Sequence, residues 1–206
     1  ARHIGAHPAV EAIQVENEPF VHFQGHANGW RIRKEFLARE IATVRAADPG
    51  EHPIVVSHAS WVKMDDTWRW ILENADAVAQ SVYTKRQRGP WPWFYIFPYR
   101  IGPLTPDLPG QARVAAEQGK LLWIGELQAE PYEHPSVDIR SIPTGEAASF
   151  STRWLRENIR LAARSGASRV YLWGVEWWAY LRERRGEPEL WEEAKRVIRN
   201  EGMRNE

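Results

Sequence analysis

Five short apolar runs punctuate the chain: Val10 to Val15, Ile54 to Ser57, Ala77 to Tyr83, Leu121 to Gly125, and Arg169 to Trp173. Each reads as a buried strand followed by a stretch with helical spacing. Such alternation predicts parallel strands, because a parallel neighbour is reached only through a crossover and helices make the crossovers. The expected class is therefore α/β. After the first run, Asn28 can cap a helix with Trp30, Phe36, Leu37, Ile41 and Val44 on one face, stopped by Asp48-Pro49-Gly50. Thr67 opens a short helix carrying Trp68, Ile71 and Leu72, and Pro106-Asp107 opens another that ends at Gly119. A longer helix is predicted from about Gly145 to Ser165, with Phe150, Trp154, Leu155, Ile159 and Ala162 inward and Gly166 turning the chain. Pro188 starts the last helix, which bears Leu190, Trp191, Ala194, Val197 and Ile198 and closes at Gly202.

One stretch breaks this rhythm. Gly89 to Gly110 holds six of the 14 prolines together with Trp91, Trp93, Phe94, Tyr95, Phe97 and Tyr99. It cannot be a regular helix or a central strand, and long loops inside compact domains are usually functional. Its rings suit a lid stacking on a ring-shaped ligand through Trp91 or Trp93, an interfacial foot on a membrane, or a loop folded against the body.

Composition narrows the function classes. The 206 residues carry 27 basic and 27 acidic side chains, no cysteine and 43% hydrophobic content. Zero net charge without a basic block argues against a partner gripped through charge, so no nucleic acid is expected. Disulfides and thiolate metal sites are excluded, and no run approaches the ~18 apolar residues of a membrane span. Twelve Trp, six Tyr and six Phe imply a large core or a surface that binds rings.

The candidate chemistry sits at strand ends. The first strand closes as Gln14-Val15-Glu16-Asn17-Glu18-Pro19 and the fourth as Trp123-Ile124-Gly125-Glu126-Leu127-Gln128. Sites of parallel βα folds lie at the C-terminal ends of the strands. Two glutamates at such ends have the makings of a glycosidic pair, one acid protonating the departing oxygen while the other attacks or activates water. Tyr83 and Trp173 end the third and fifth strands.

At these residues the chain resembles the retaining glycoside hydrolases of clan A, the (β/α)8 superfamily of cellulases, mannanases and β-glucosidases. Asn17-Glu18-Pro19 matches the Asn-Glu pair that ends strand 4 there, and Gly125-Glu126 matches the glutamate ending strand 7. Tyr83 matches the tyrosine ending strand 6, and Trp173 the tryptophan ending strand 8. Ser81 stands where cellulase-type members of family 5 carry His, so the match is to the clan. The resemblance implies a TIM barrel of which this chain, residues 1–206, holds only the C-terminal five βα units, strands 4 to 8. Strands 1 to 3 would then come from an N-terminal segment, a companion chain or self-association.

The resemblance also implies roles. Glu126 would be the nucleophile and Glu18 the acid/base, ~5 Å apart, where the charge on one carboxylate disfavours ionisation of the other. Asn17 would bind the sugar 2-hydroxyl, Tyr83 would hold Glu126, and Trp173 would floor the subsite. The partner would be a carbohydrate, and no cofactor is needed.

Other residues have two readings. Glu130 rivals Glu126. Glu16 shares strand parity with Gln14 and Glu18 and is expected to point inward as a buried, hydrogen-bonded acid. His58 is either a substrate contact or a hydrogen-bonded structural group. His22, His26, Glu133 and His134 lack recognisable metal-ligand spacing. Trp61, Trp177 and Trp178 are subsite platforms or packing, with packing favoured for at least one of the adjacent pair.

Overall fold

The computed structural model describes residues 1–21, 32–59, 64–87, 89–91, 93–99, 106–142 and 149–202. His22, His26, Asn28, Trp30, Trp61 and Gly145 lie outside the described residues. The strands are β1 (Ile13–Gln14), β2 (Ile54–His58), β3 (Ala77–Val82), β4 (Arg86–Gln87), β5 (Tyr95–Ile96), β6 (Leu121–Gln128) and β7 (Arg169–Trp173). The helices among the described residues are α1 (Lys34–Ala47), α2 (Asp66–Asn74), α3 (Leu108–Glu117), α4 (Thr152–Ala163), α5 (Val175–Arg185) and α6 (Glu189–Gly202). Five strands form one parallel sheet in the order β1-β2-β3-β6-β7, while β4 and β5 make a separate antiparallel pair. The class is α/β, and all five strands read from the sequence are present.

Two compact units divide the chain. The first comprises Ala1–Val82, Pro106–Gly125 and Gly166–Val170, the second Tyr83–Thr105, Glu126–Ser165 and Tyr171–Glu206. In the first, Ile54 pairs with Ile13 and Val55 with Ala77. Because side chains alternate across a strand, Ile54, Val56 and Val78 bury against Leu37, Ile41, Trp68, Ile71 and Leu72 of the helices. The opposite face is lined by small residues: Val55, Ala77 and Ala79 pack around the indole of Trp123. A Cβ on Gly125 would come 2.9 Å from the Cβ of Ala79, so glycine lets the two strands approach. Arg169 at the start of β7 pairs with Glu11, which precedes β1.

In the second unit, α4, α5 and α6 bury Leu155, Trp177, Trp178, Leu181, Leu190 and Ala194 together with Phe150 and Ala129. Glu193 of α6 is held by Arg156 of α4 and by Arg196, which clamps the two helices.

Several local expectations are corrected. The cap of α2 is Asp65, whose carboxylate accepts from the N–H groups of Thr67 and Trp68. Phe36 is exposed while Leu37, one residue on, is fully buried, since 100° of helical rotation separates them. Ser151 caps α4, so Phe150 precedes that helix yet is buried. The helical stretch expected after Trp173 is two helices, α5 and α6, and α5 has no single apolar stripe to mark its bounds. β7 is not a buried strand. It lies at the end of the sheet order, and Val170, Tyr171 and Trp173 are 39%, 46% and 48% exposed.

Candidate active site

Asn17 and Glu18 belong to the first unit. The chain leaves β1 through two non-glycine residues with left-handed backbone, Glu16 at φ 61° and Glu18 at φ 49°. Each such conformation costs of order 1–3 kcal/mol and persists only where surrounding structure enforces it. Here the enforcement comes from β2 and β3. The Glu18 N–H donates to Ser57 Oγ at 2.6 Å, Ser57 donates to Asn17 Oδ1 at 3.0 Å, and Ser81 donates to Glu18 Oε1 at 2.5 Å. Ser57 and Ser81 share strand parity with Val55 and Ala79, so both hydroxyls stand on the face lined by small residues. Glu18 is only 8% exposed, and a carboxyl so buried needs donors of this kind.

The same geometry corrects the reading of Glu16. The left-handed turn swings its side chain out, and it is exposed rather than buried inside the sheet. Its charge is felt by Glu40 of α1, whose pKa is raised by burial first and by Glu16 second.

His58, at the tip of β2, is 4% exposed. Its Nε2 lies 2.9 Å from Thr67 Oγ1 and 3.4 Å from Asp65, the cap of α2. Its Nδ1 is buried and has no partner among the described residues.

Tyr83, Glu126 and Trp173 belong to the second unit. Tyr83 follows the last residue of β3, and its hydroxyl donates to Glu126 Oε2 at 2.8 Å. The ring of Tyr132 packs edge-on against Tyr83 at 5.7 Å. Trp173 ends β7, with its carbonyl accepting the Ala129 N–H at 2.9 Å. Glu130 has its pKa raised, chiefly by burial and then by the charges of Glu176 and Glu126. The next residue, Gly174, has φ 137°, and a Cβ there would sit 2.7 Å from Ala129 O and from Glu130 Cβ. Trp177 and Trp178 are both buried in the helical core, and Trp178 donates to Ala129 O at 2.6 Å. They are packing residues.

The proline and aromatic segment begins as the β4–β5 pair. Lys85 stands 5.1–5.6 Å from the ring centres of Tyr95, Phe97 and Trp154, a cationic rivet. Tyr95 donates to Glu133, which also accepts from the Ser149 hydroxyl and N–H at 2.7 Å. Burial and that carboxylate push the Tyr95 phenol above its usual range, so it remains a donor. Glu133 is thus spent on the loop, and His134 turns to Ser136. Trp91 and Trp93 stack on each other at 5.7 Å and 16°, with 55% and 71% of their surfaces exposed. Among the described residues no three His, Asp or Glu side chains are grouped as a metal site requires.

No protein-family model and no curated protein matches this chain. What the sequence reading missed were the supports, Ser57, Ser81 and Tyr132. The period-two parity of the serines with Val55 and Ala79 was the available signal.

Proposed function

We propose that the sheet is the C-terminal five βα units of a (β/α)8 barrel and that the protein is a retaining β-glycoside hydrolase acting on an oligo- or polysaccharide. The observation that carries this reading is the Tyr83 hydroxyl donated to Glu126 at the end of β6. A phenol aimed at one carboxylate oxygen steadies the anion and leaves the other oxygen for attack. The buried, serine-bonded Glu18 after β1 supports the acid/base role.

In this reading a Glu126 oxygen attacks the anomeric carbon and the bond to the leaving oxygen breaks, while the Glu18 proton passes to that oxygen. Water then attacks the anomeric carbon and Glu18 takes its proton. The ester bond to Glu126 breaks and the carboxylate returns. Two inversions retain the configuration, and the carboxyls must stand ~5 Å apart for it. Asn17 takes the 2-hydroxyl and Trp173 stacks beneath the ring.

The reading also gives the exposed side chains of β7, the last strand in the sheet order, a cover. That cover is an N-terminal segment or companion chain carrying strands 1 to 3, or a second copy.

The deciding experiment treats the protein, purified with any companion, with 2,4-dinitrophenyl 2-deoxy-2-fluoro-β-glycosides of glucose, mannose and cellobiose, followed by peptide mass spectrometry. The expected result is one glycosyl group on Glu126. Labelling of Glu130 would reassign the nucleophile; no label, with no hydrolysis of the matching aryl β-glycosides, would overturn the reading.

A further inference from the structure

Ser57 is only 2% exposed and has a single hydroxyl proton to place. Its oxygen already accepts the Glu18 N–H at 2.6 Å. In a buried site the proton therefore needs an acceptor of its own. Among the described residues that acceptor is Oδ1 of Asn17, at 3.0 Å.

This matters because an amide has a donor end and an acceptor end, and its surroundings decide which end faces inward. With the Asn17 amide reversed, its NH2 group would meet Ser57 and the buried hydroxyl proton would lose its acceptor. A second group selects the same orientation. Gln14, the last residue of β1, lies 3.2 Å from the Glu16 carbonyl, which can only accept, so the Gln14 atom there is the donor Nε2. The same Nε2 is 3.4 Å from Asn17 Oδ1. Two donors thus converge on Oδ1, and since Asn17 is exposed, Nδ2 is the end it can offer to a ligand.

We infer that Ser57 is a positioning residue that fixes which end of the Asn17 amide meets the substrate. Its hydroxyl, braced by the Glu18 N–H, holds Oδ1 inward and turns Nδ2 outward, with Gln14 assisting. The inference rests on the glycosidase reading and deepens it. Asn17 then offers the sugar 2-oxygen a donor, and the subsite selects substrates that carry an acceptor there. One serine oxygen aligns both this residue and the neighbouring Glu18.

The test has two arms. Neutron diffraction from perdeuterated wild-type crystals reads the amide directly, and its deuterium atoms should lie on the side away from Ser57. Kinetics then compare matched aryl β-glycosides with and without the 2-hydroxyl. Both share one leaving group, so any displacement of Glu18 cancels in the ratio of their kcat/KM values. Ser57→Ala should cut the preference for the 2-hydroxyl about 3- to 10-fold, the scale of one neutral hydrogen bond, and Gln14→Leu about 2-fold. The double variant N17A/S57A should lose no more of that preference than N17A alone, because Ser57 acts through Asn17. If S57A does not fold, the exposed Q14L and the diffraction arm still decide. Amide deuterium facing Ser57, an undiminished preference in S57A, or a double variant that loses more than N17A overturns the inference alone. Wild type without turnover on any glycoside overturns the glycosidase reading and the substrate preference with it, while the diffraction arm still decides the orientation of the amide.

Discussion

The hydroxyl of Tyr83 donates to Oε2 of Glu126 at 2.8 Å across 43 residues of sequence. One residue has just left β3 and the other stands near the end of β6, so neighbouring strands bring them together. A hydrogen bond to a charged group contributes about 1.5–3 kcal/mol. If that contribution is made in the transition state, Tyr83→Phe should lower kcat by roughly 10- to 150-fold with little change in KM. A Y83F protein with wild-type kcat would separate this hydrogen bond from catalysis.

Ser81→Ala removes the donor at Glu18 Oε1 while sparing the backbone. Taking a donor from a buried carboxyl should cost about 1–3 kcal/mol in urea unfolding. A midpoint unchanged from wild type would show that the 2.5 Å contact does not support Glu18.

Glu193 gives a pH-dependent prediction. Hydrogen bonds first from Arg156 and then from Arg196 hold its pKa at about 2, below the ordinary 4.5. A lowered carboxyl pKa stabilises the fold above the unfolded value, and the contribution is lost as pH falls through the folded value. Glu193→Gln should therefore lower Tm at pH 7, and the gap from wild type should close between about pH 4.5 and 2. A gap that stayed constant across that window would show that the clamp contributes no ionic stability.

Asp65 behaves in the same sense at the start of α2. Burial is the largest influence and raises its pKa, but His58, the Trp68 N–H and Thr67 together hold it well below the carboxylate range. Asp65→Ala should cost about 1 kcal/mol as a lost cap at neutral pH, with the difference shrinking in acid. Asp65→Asn, which keeps a capping oxygen, should recover most of it.

Gly174→Ala should destabilise by ~2–4 kcal/mol, because it combines a left-handed backbone with a Cβ 2.7 Å from Ala129 O and Glu130 Cβ. Thermal unfolding measures it, and a loss below about 0.5 kcal/mol would mean that the Ala129–Glu130 backbone yields easily.

The order of strands and helices was legible because it depends on local rules. Apolar runs bounded by turn residues mark β2, β3 and β6, and Asp107, Gly119 and Gly166 stop or start helices through their own backbone preferences. The placing of Glu18 beyond β1 and of Trp173 at the end of β7 was legible too, whereas β6 runs on past the expected end at Gly125 to Gln128, so Glu126 lies within the strand. The sequence could not reveal which groups hold these residues in place. Ser57 reaches Glu18 across 39 positions and Ser81 across 63, distances at which no periodicity operates and only the folded sheet brings the residues together. Glu16 and Glu18 have nearly the same setting in sequence, yet a pair of left-handed residues sends one side chain to solvent and the other under Ser81. Whether β7 is buried was likewise beyond local pattern. Its apolar residues read as core, but a strand's burial depends on what lies beyond it in the sheet, and among the described residues β7 has a sheet neighbour, β6, on one side.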